Sequence, residues 1–254
     1  FKLTRYRLSA HKKLSLEAFY HLLSHRSAIV KLKIKHMISN VYERERNRMV
    51  DILVQEGFIK SQAVEQAMRR VPRHRFVAKG YETVAYEDAP FPTENGQTTS
   101  APSIIAIMCE AALPFSLMFE VGCGYGYLAS VCALAQPNGK IITAELYENI
   151  ATHAAKNFTD LGIDDRVTVI VFDGSLGPPL NTQPDTIIIS AAAPEVPHAV
   201  FEKLAEDGKM IVPVGTDVQE LLLVKKKKGA MITKPLIPCI FVPMQGTYGA
   251  GHYP

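Results

Sequence analysis

The strongest constraint in this chain is an alternation running from residue 104 to residue 214. Apolar runs of strand length fall at 117–121, 140–145, 166–172, 185–190 and 209–214. Helical stretches lie between them at 127–136, 148–161 and 196–205, with another at 104–113 leading in. This order specifies a parallel sheet, because parallel neighbours need a crossover and a helix makes that crossover. After residue 214 the pattern changes. Segments 218–224 and 231–242, joined by a turn at 225–229, read as antiparallel strands added at an edge, with four consecutive lysines as a solvated hairpin tip. The expected class is α/β: a doubly wound, mostly parallel sheet with helices on both faces, a helical N-terminal extension and C-terminal antiparallel edge strands.

Upstream, 43–56 predicts a helix carrying Met49, Val50, Leu53 and Val54 on one face, with Gly57 as its stop. A second helix runs from Ser61, a good N-cap, to Arg70 before Pro72. Residues 71–102 show no clear period and contain Pro72, Pro90, Pro92 and Pro102. An irregular stretch of that length inside a compact domain usually lines a site.

The chain has 254 residues, of which 47% are hydrophobic and 21% charged, so it can bury a sizeable core. That excludes a short disulfide scaffold and wholesale disorder. No apolar run is long enough to span a membrane. Cys109, Cys123, Cys132 and Cys239 form no C-x-x-C pair, which points to a reducing compartment and away from a zinc knuckle.

The net charge of +3 conceals an asymmetry. Residues 1–40 hold nine Lys/Arg against Glu17 alone, so this segment carries +8 and the remainder −5. The expected division is a basic extension, 1–40, followed by the main domain, 41–254. A transit peptide, a docking arm for RNA or an acidic partner, and a plain solvated helix all fit the composition of the extension. The cytoplasm is the default location, and the mitochondrial matrix follows if the extension is a transit peptide. His21 and His25 are spaced like helical metal ligands but lack the intervening Glu of H-E-x-x-H, so no metal is expected.

The chemistry concentrates at Glu120-Val-Gly122-Cys-Gly124-Tyr-Gly126, which closes one strand and opens a helix. Ligands of α/β sheets bind at that edge. Gly122 and Gly124 permit a tight turn and close backbone approach, and Glu145 closes the next strand, where a carboxylate can accept both ribose hydroxyls. A dinucleotide turn would read G-x-G-x-x-G. Here the third glycine comes one residue early and an acid stands two positions before the first, a pattern similar to that of S-adenosylmethionine-dependent methyltransferases. Tyr-x-x-x-Lys, which a short-chain dehydrogenase would need, is absent.

A longer match follows. Asp88-Ala-Pro-Phe-Pro-Thr-Glu-Asn-Gly96-Gln-Thr-Thr-Ser100-Ala-Pro102 resembles the D-x-P-L-P-I-G-x-G-Q-T-I-S-x-P signature of protein-L-isoaspartate O-methyltransferases. Val71-Pro-Arg-His-Arg-Phe-Val77, Asp173-Gly174, Ala191-Ala-Ala193, Val212-Pro-Val-Gly215 and Phe241-Val-Pro243 agree in order. The resemblance implies a class I methyltransferase fold and methyl transfer from S-adenosyl-L-methionine to the free carboxylate of L-isoaspartyl residues in damaged proteins. The resulting ester is a good leaving group, so the succinimide re-forms and can reopen normally. The implied cofactor residues are Glu120, Gly122, Gly124, Glu145, Asp173 and Gly174, the last two beside the adenine. The implied catalytic residues are Ser100, contacting the substrate carboxylate, with Thr98 and Thr99 beside it and Asp88 shaping the pocket.

Simpler roles are available. Thr98, Thr99 or Ser100 could cap the helix after Pro102, and Asp173 could be a turn residue before Gly174. Cys123 and Tyr125 read as packing. Two departures bear on substrate. Glu94 adds an acid where the substrate carboxylate is expected to enter and should oppose its binding, and Thr99 stands where Ile is usual. An alternative reading follows: a methyltransferase-like assembly module that docks on RNA or a ribonucleoprotein through residues 1–40.

Overall fold

The computed structural model describes residues 28–179 and 183–249, with side chains from residue 36 onward. The histidines His21 and His25 and most of the basic extension lie outside the described residues. The chain divides after Val41, and the second unit holds the sheet. Helix α1 (Ala28–Gln55) is longer than expected and crosses that division. Met49, Val50 and Leu53 are buried as predicted, while Val54 turns outward.

Helix α2 (Gln62–Arg70) begins at the expected cap. Ser61 Oγ accepts from the Val64 N–H at 3.2 Å and donates to Glu110 Oε1 at 3.0 Å. Glu110 also accepts the Lys60 and Ser61 amides at 2.8 and 2.7 Å, which fastens α2 to helix α3 (Pro102–Ala112). One acid thus satisfies three donors, two of them backbone N–H groups at a helix start.

The stretch between α2 and α3 is irregular, as its prolines predict. It contains a short antiparallel pair, β1 (Phe91–Pro92) and β2 (Thr98–Thr99). Arg73, fully buried, holds the segment down: Nε donates to the Ala85 carbonyl at 2.8 Å and Nη2 to the Ala89 carbonyl at 3.3 Å. Its guanidinium lies 4.8 Å from the Tyr127 ring centroid. Cation–π contact compensates part of the desolvation of that charge.

The main sheet comprises β3 (Leu117–Val121), β4 (Lys140–Glu145), β5 (Val167–Val171), β6 (Thr186–Ile189), β7 (Lys209–Val214), β8 (Gln219–Lys227) and β9 (Ala230–Cys239). Its order is β5-β4-β3-β6-β7-β8-β9. The first five are parallel, and β8 and β9 are antiparallel additions at one edge. The crossovers use α4 (Tyr127–Ala135), α5 (Glu148–Leu161) and the short α6 (His198–Glu202).

Alternation along the strands divides the core. Met118, Ile188 and Ile211 join the cluster with α2 to α5, while Phe119, Ile187, Ile189 and Met210 pack with Val200 and Phe201 of α6. This period of two, buried on both faces, is why the strands read as continuous apolar runs.

The lysine run differs from expectation. Lys225, Lys226 and Lys227 belong to β8, and only Lys228 and Gly229 turn the hairpin. Lys226 Nζ donates to the carbonyls of Glu202 and Leu204 at 3.0 and 2.9 Å, satisfying backbone groups at the end of α6. Among the described residues, no helix is long and apolar enough to cross a membrane.

Candidate active site

The carboxyl ends of β3, β4, β5 and β6 open into one pocket, walled by the residues just beyond each strand: Gly122, Leu146, Phe172 and Ser190. β3 is where the sheet order reverses, the crevice that open α/β sheets use for ligands. The glycine turn shapes its floor. Gly124 has φ +53° and donates its N–H to Glu145 Oε2 at 2.9 Å. Gly126 has φ +89°, and a Cβ there would stand 2.6 Å from the Phe158 ring. The turn is therefore glycine for two reasons, backbone sign at one position and contact with α5 at the other.

Glu145 is buried, and Oε1 accepts the Tyr147 N–H at 3.2 Å. Burial raises its pKa, and the backbone donors Tyr147 and Gly124 oppose that shift. With one N–H on each oxygen, the carboxylate still has lone pairs for two hydroxyl donors.

Glu120 lies deeper and is 0% exposed. Register places it opposite Thr143, whose Oγ1 donates to Glu120 Oε2 at 2.5 Å. The other oxygen, Oε1, has no partner among the described residues. Burial pushes its pKa up to about 8, the Thr143 bond opposes this, and the nearby Glu145 adds to it. The environment of Glu120 thus favours the protonated form, with a buried oxygen free at the pocket floor. Cys123 packs beside it, its thiol pushed well above the ordinary range by burial and by Glu120. The ring of Tyr125 stacks on His153 at 4.1 Å, and Cys123 and Tyr125 both also line the pocket, beyond the packing role expected of them.

The signature segment supplies the opposite wall. Thr98, Thr99 and Ser100 all line the pocket. Thr99 Oγ1 donates to the Phe76 carbonyl at 2.6 Å, so its departure from Ile adds a tie between β2 and the 71–77 segment. Among the described residues, no hydrogen bond engages the Ser100 hydroxyl. Thr98 and Ser100 also line a second, shallower groove that runs past Ile104 to Phe241.

Asp88 and Asp173 stand outside the pocket lining. Asp88 Oδ1 accepts the Ser103 N–H at 2.8 Å and caps α3, the role that the sequence offered to Thr98, Thr99 or Ser100. Asp173 Oδ1 accepts from the Ser175 N–H and hydroxyl at 3.0 and 2.6 Å, while Oδ2 accepts from the Thr247 N–H and hydroxyl, both at 2.7 Å. Burial works against its charge, yet these four donors hold its pKa below the ordinary range. Gly174 does line the pocket, and a Cβ there would stand 2.8 Å from Val121.

Glu94 lies next to the pocket residue Tyr125, on which its charge acts. Its Oε2 accepts from Asn149 Nδ2 at 2.6 Å, Asn95 Nδ2 donates to Asn149 Oδ1 at 3.1 Å, and Glu94 is not part of the pocket lining. The added acid clamps its loop to α5.

Sequence reasoning missed one wall. Val242, Met244 and Gln245, following β9, close the pocket, and Tyr147 Oη donates to Gln245 Oε1 at 2.7 Å. The signal was Phe241-Val-Pro243, which matched the family in order but carried no hint of its place.

A seven-stranded, mostly parallel sheet with a glycine turn after β3 and an acid closing β4 defines a class I S-adenosylmethionine-dependent methyltransferase. Within that class, residues 44–249 match the pattern described as Protein-L-isoaspartate(D-aspartate) O-methyltransferase, and the chain belongs to that family. It is 41% identical to the protein-L-isoaspartate O-methyltransferase of Hyperthermus butylicus over 84% of this chain and 93% of the relative. For the enzyme of the same name from Methanopyrus kandleri the values are 42%, 82% and 95%. A Plasmodium falciparum protein-L-isoaspartate O-methyltransferase, solved with S-adenosyl-L-homocysteine, superposes with a TM-score of 0.69 at 25% identity, covering 79% of this chain and 98% of that one. The cofactor is S-adenosylmethionine, and the residues present fit it: a carboxylate with free lone pairs at β4, an unpartnered buried oxygen on Glu120, and a glycine turn open to close approach. The RNA or ribonucleoprotein reading finds no support in these comparisons.

Proposed function

We propose that this chain methylates the free carboxylate of L-isoaspartyl residues in damaged proteins, using the pocket at the carboxyl edge of β3 and β4. The observation that carries this reading is continuity: Thr98 and Ser100 belong both to the cofactor pocket and to the groove beside it. A substrate lying in the groove meets the cofactor at those two side chains. When bound, S-adenosylmethionine supplies an electrophilic methyl on a sulfonium centre.

The chain's own groups then divide the work. Glu145 takes the ribose hydroxyls, Gly122 and Gly124 let the backbone approach, and Gly174 leaves room for the adenine end. The Ser100 hydroxyl donates to the substrate carboxylate, with Thr98 beside it. No general base is needed, because a carboxylate is already ionised at neutral pH. Glu120, favoured in its protonated form, spares that anion a second negative charge. Asp88 positions Ser100 by capping α3, and Asp173 positions the wall that follows β9.

The four cysteines are free thiols, which suits the cytoplasm, or the mitochondrial matrix if residues 1–40 act as a transit peptide. The test is tritiated methyl transfer to an isoaspartyl peptide beside its normal aspartyl twin. Transfer to the isoaspartyl peptide alone is expected. Transfer to neither, with cofactor demonstrably bound, overturns the reading, as does equal transfer to both.

A further inference from the structure

The two most exposed large apolar side chains among the described residues are Ile240, which lines the groove, and Val218. Ile240 is 91% and Val218 85% exposed. The register Gln219↔Cys239 sets them side by side at the open end of the β8–β9 hairpin. Single exposed hydrophobics need no explanation, but one that lines a binding groove does.

Nor is Ile240 on a slack loop. Buried Gln219 grips the next residue with both ends of its amide: Oε1 accepts the Phe241 N–H at 2.6 Å, and Nε2 donates to the Phe241 carbonyl at 3.1 Å. The backbone is fixed with Ile240 turned to solvent. Pro90, Ile104, Pro238 and Phe241 continue the same surface inward to Ser100, and no charged side chain lines it.

We infer that this ledge selects the substrate by the side chain next to the isoaspartyl residue, taking an apolar neighbour against Ile240 and rejecting an acidic one. The inference rests on the reading above, since it places the isoaspartyl carboxylate at Ser100 and the peptide along the groove. An apolar neighbour removes Ile240 from water. An acidic neighbour loses solvation against an apolar ledge that offers it no charged partner. Differences of one apolar contact are worth about tenfold in kcat/KM.

The experiment uses short isoaspartyl peptides that differ only at the flanking positions, with Leu, Gln, Lys or Glu on either side. Methyl transfer is measured with the parent chain, Ile240→Ser and Ile240→Lys. Because Ile240 is almost wholly exposed, neither variant should disturb folding, and calorimetric cofactor affinity checks this. The parent should prefer Leu over Glu by about tenfold in kcat/KM at one flank. Ile240→Ser should reduce that ratio, and Ile240→Lys should abolish or reverse it. Equal kcat/KM across the peptides overturns the inference, and so does a preference that survives unchanged in both variants. Absence of transfer to every isoaspartyl peptide would be a different failure, that of the proposed activity itself.

Discussion

Replacing Glu120 with Gln should make the protein more stable, and increasingly so as pH rises. The reasoning begins with register. Glu120 pairs with Thr143 on neighbouring strands, faces the interior and has one oxygen without a partner. Burial raises its pKa from 4.5 to about 8. A folded-state pKa above the unfolded one means that the folded protein holds the proton longer. The stabilising contribution is therefore complete below about pH 4.5 and is lost as pH climbs toward 8. Each pH unit in that window is worth about 1.4 kcal/mol, so the loss between about pH 5 and pH 8 is about 4 kcal/mol.

Gln keeps the shape and cannot ionise. Its oxygen accepts from Thr143 as Glu120 does now, with the amide nitrogen in place of the protonated oxygen. Urea denaturation of both proteins across that range should give curves that diverge, with the Gln variant ahead at pH 8. His74, whose pKa falls to about 4, is present in both proteins and largely cancels in the difference. Parallel curves would refute the claim that burial favours the protonated form of Glu120.

Three further outcomes test the site. Glu145→Ala should weaken S-adenosylmethionine by about 1.5 to 3 kcal/mol, the scale of hydrogen bonds to a charged group; unchanged affinity by calorimetry would remove Glu145 from the ribose. Ser100→Ala should leave that affinity nearly unchanged and lower methyl transfer by roughly one or two orders of magnitude, the rate equivalent of one lost charge-assisted bond. Glu94→Gly should fail to raise activity at low ionic strength, because Glu94 is bound to Asn149 outside the pocket; a gain that vanishes with added salt would mean that its charge reaches the substrate after all.

The sheet was legible because its central strands are buried on both faces and three of its parallel crossovers are helices, so local apolar runs and their spacing carry nearly all the information. Strands 117–121, 140–145 and 209–214 fall where the pattern sets them. Helix α6 ends well short of the expected 196–205, since periodicity continues through Leu204, which is buried without being helical. The β8–β9 turn moved because lysine stems tolerate strand geometry as well as a tip, and Lys226 finds carbonyl partners that only tertiary structure supplies.

The site was legible in a different way. Motifs identify residues that one fold holds in fixed places, but they do not distinguish groups that face a ligand from groups that hold those in position. Asp88 and Ser100 sit in one signature, yet Asp88 spends its carboxylate on the Ser103 N–H while Ser100 lines the pocket. Asp173 and Gly174 are neighbours, and only the glycine lines the cavity. In both pairs the charged member has found backbone donors, which a carboxylate near a helix or turn start does readily. Glu94 is engaged by a side-chain donor instead, the Asn149 amide. The carboxylates that line the pocket, Glu120 and Glu145, come from β3 and the last position of β4, where register aims the side chain at the carboxyl edge even though Glu145 also accepts two backbone N–H groups. An acid that ends or occupies a parallel strand is therefore the better sequence clue to ligand contact than an acid in a loop, however closely that loop matches a signature.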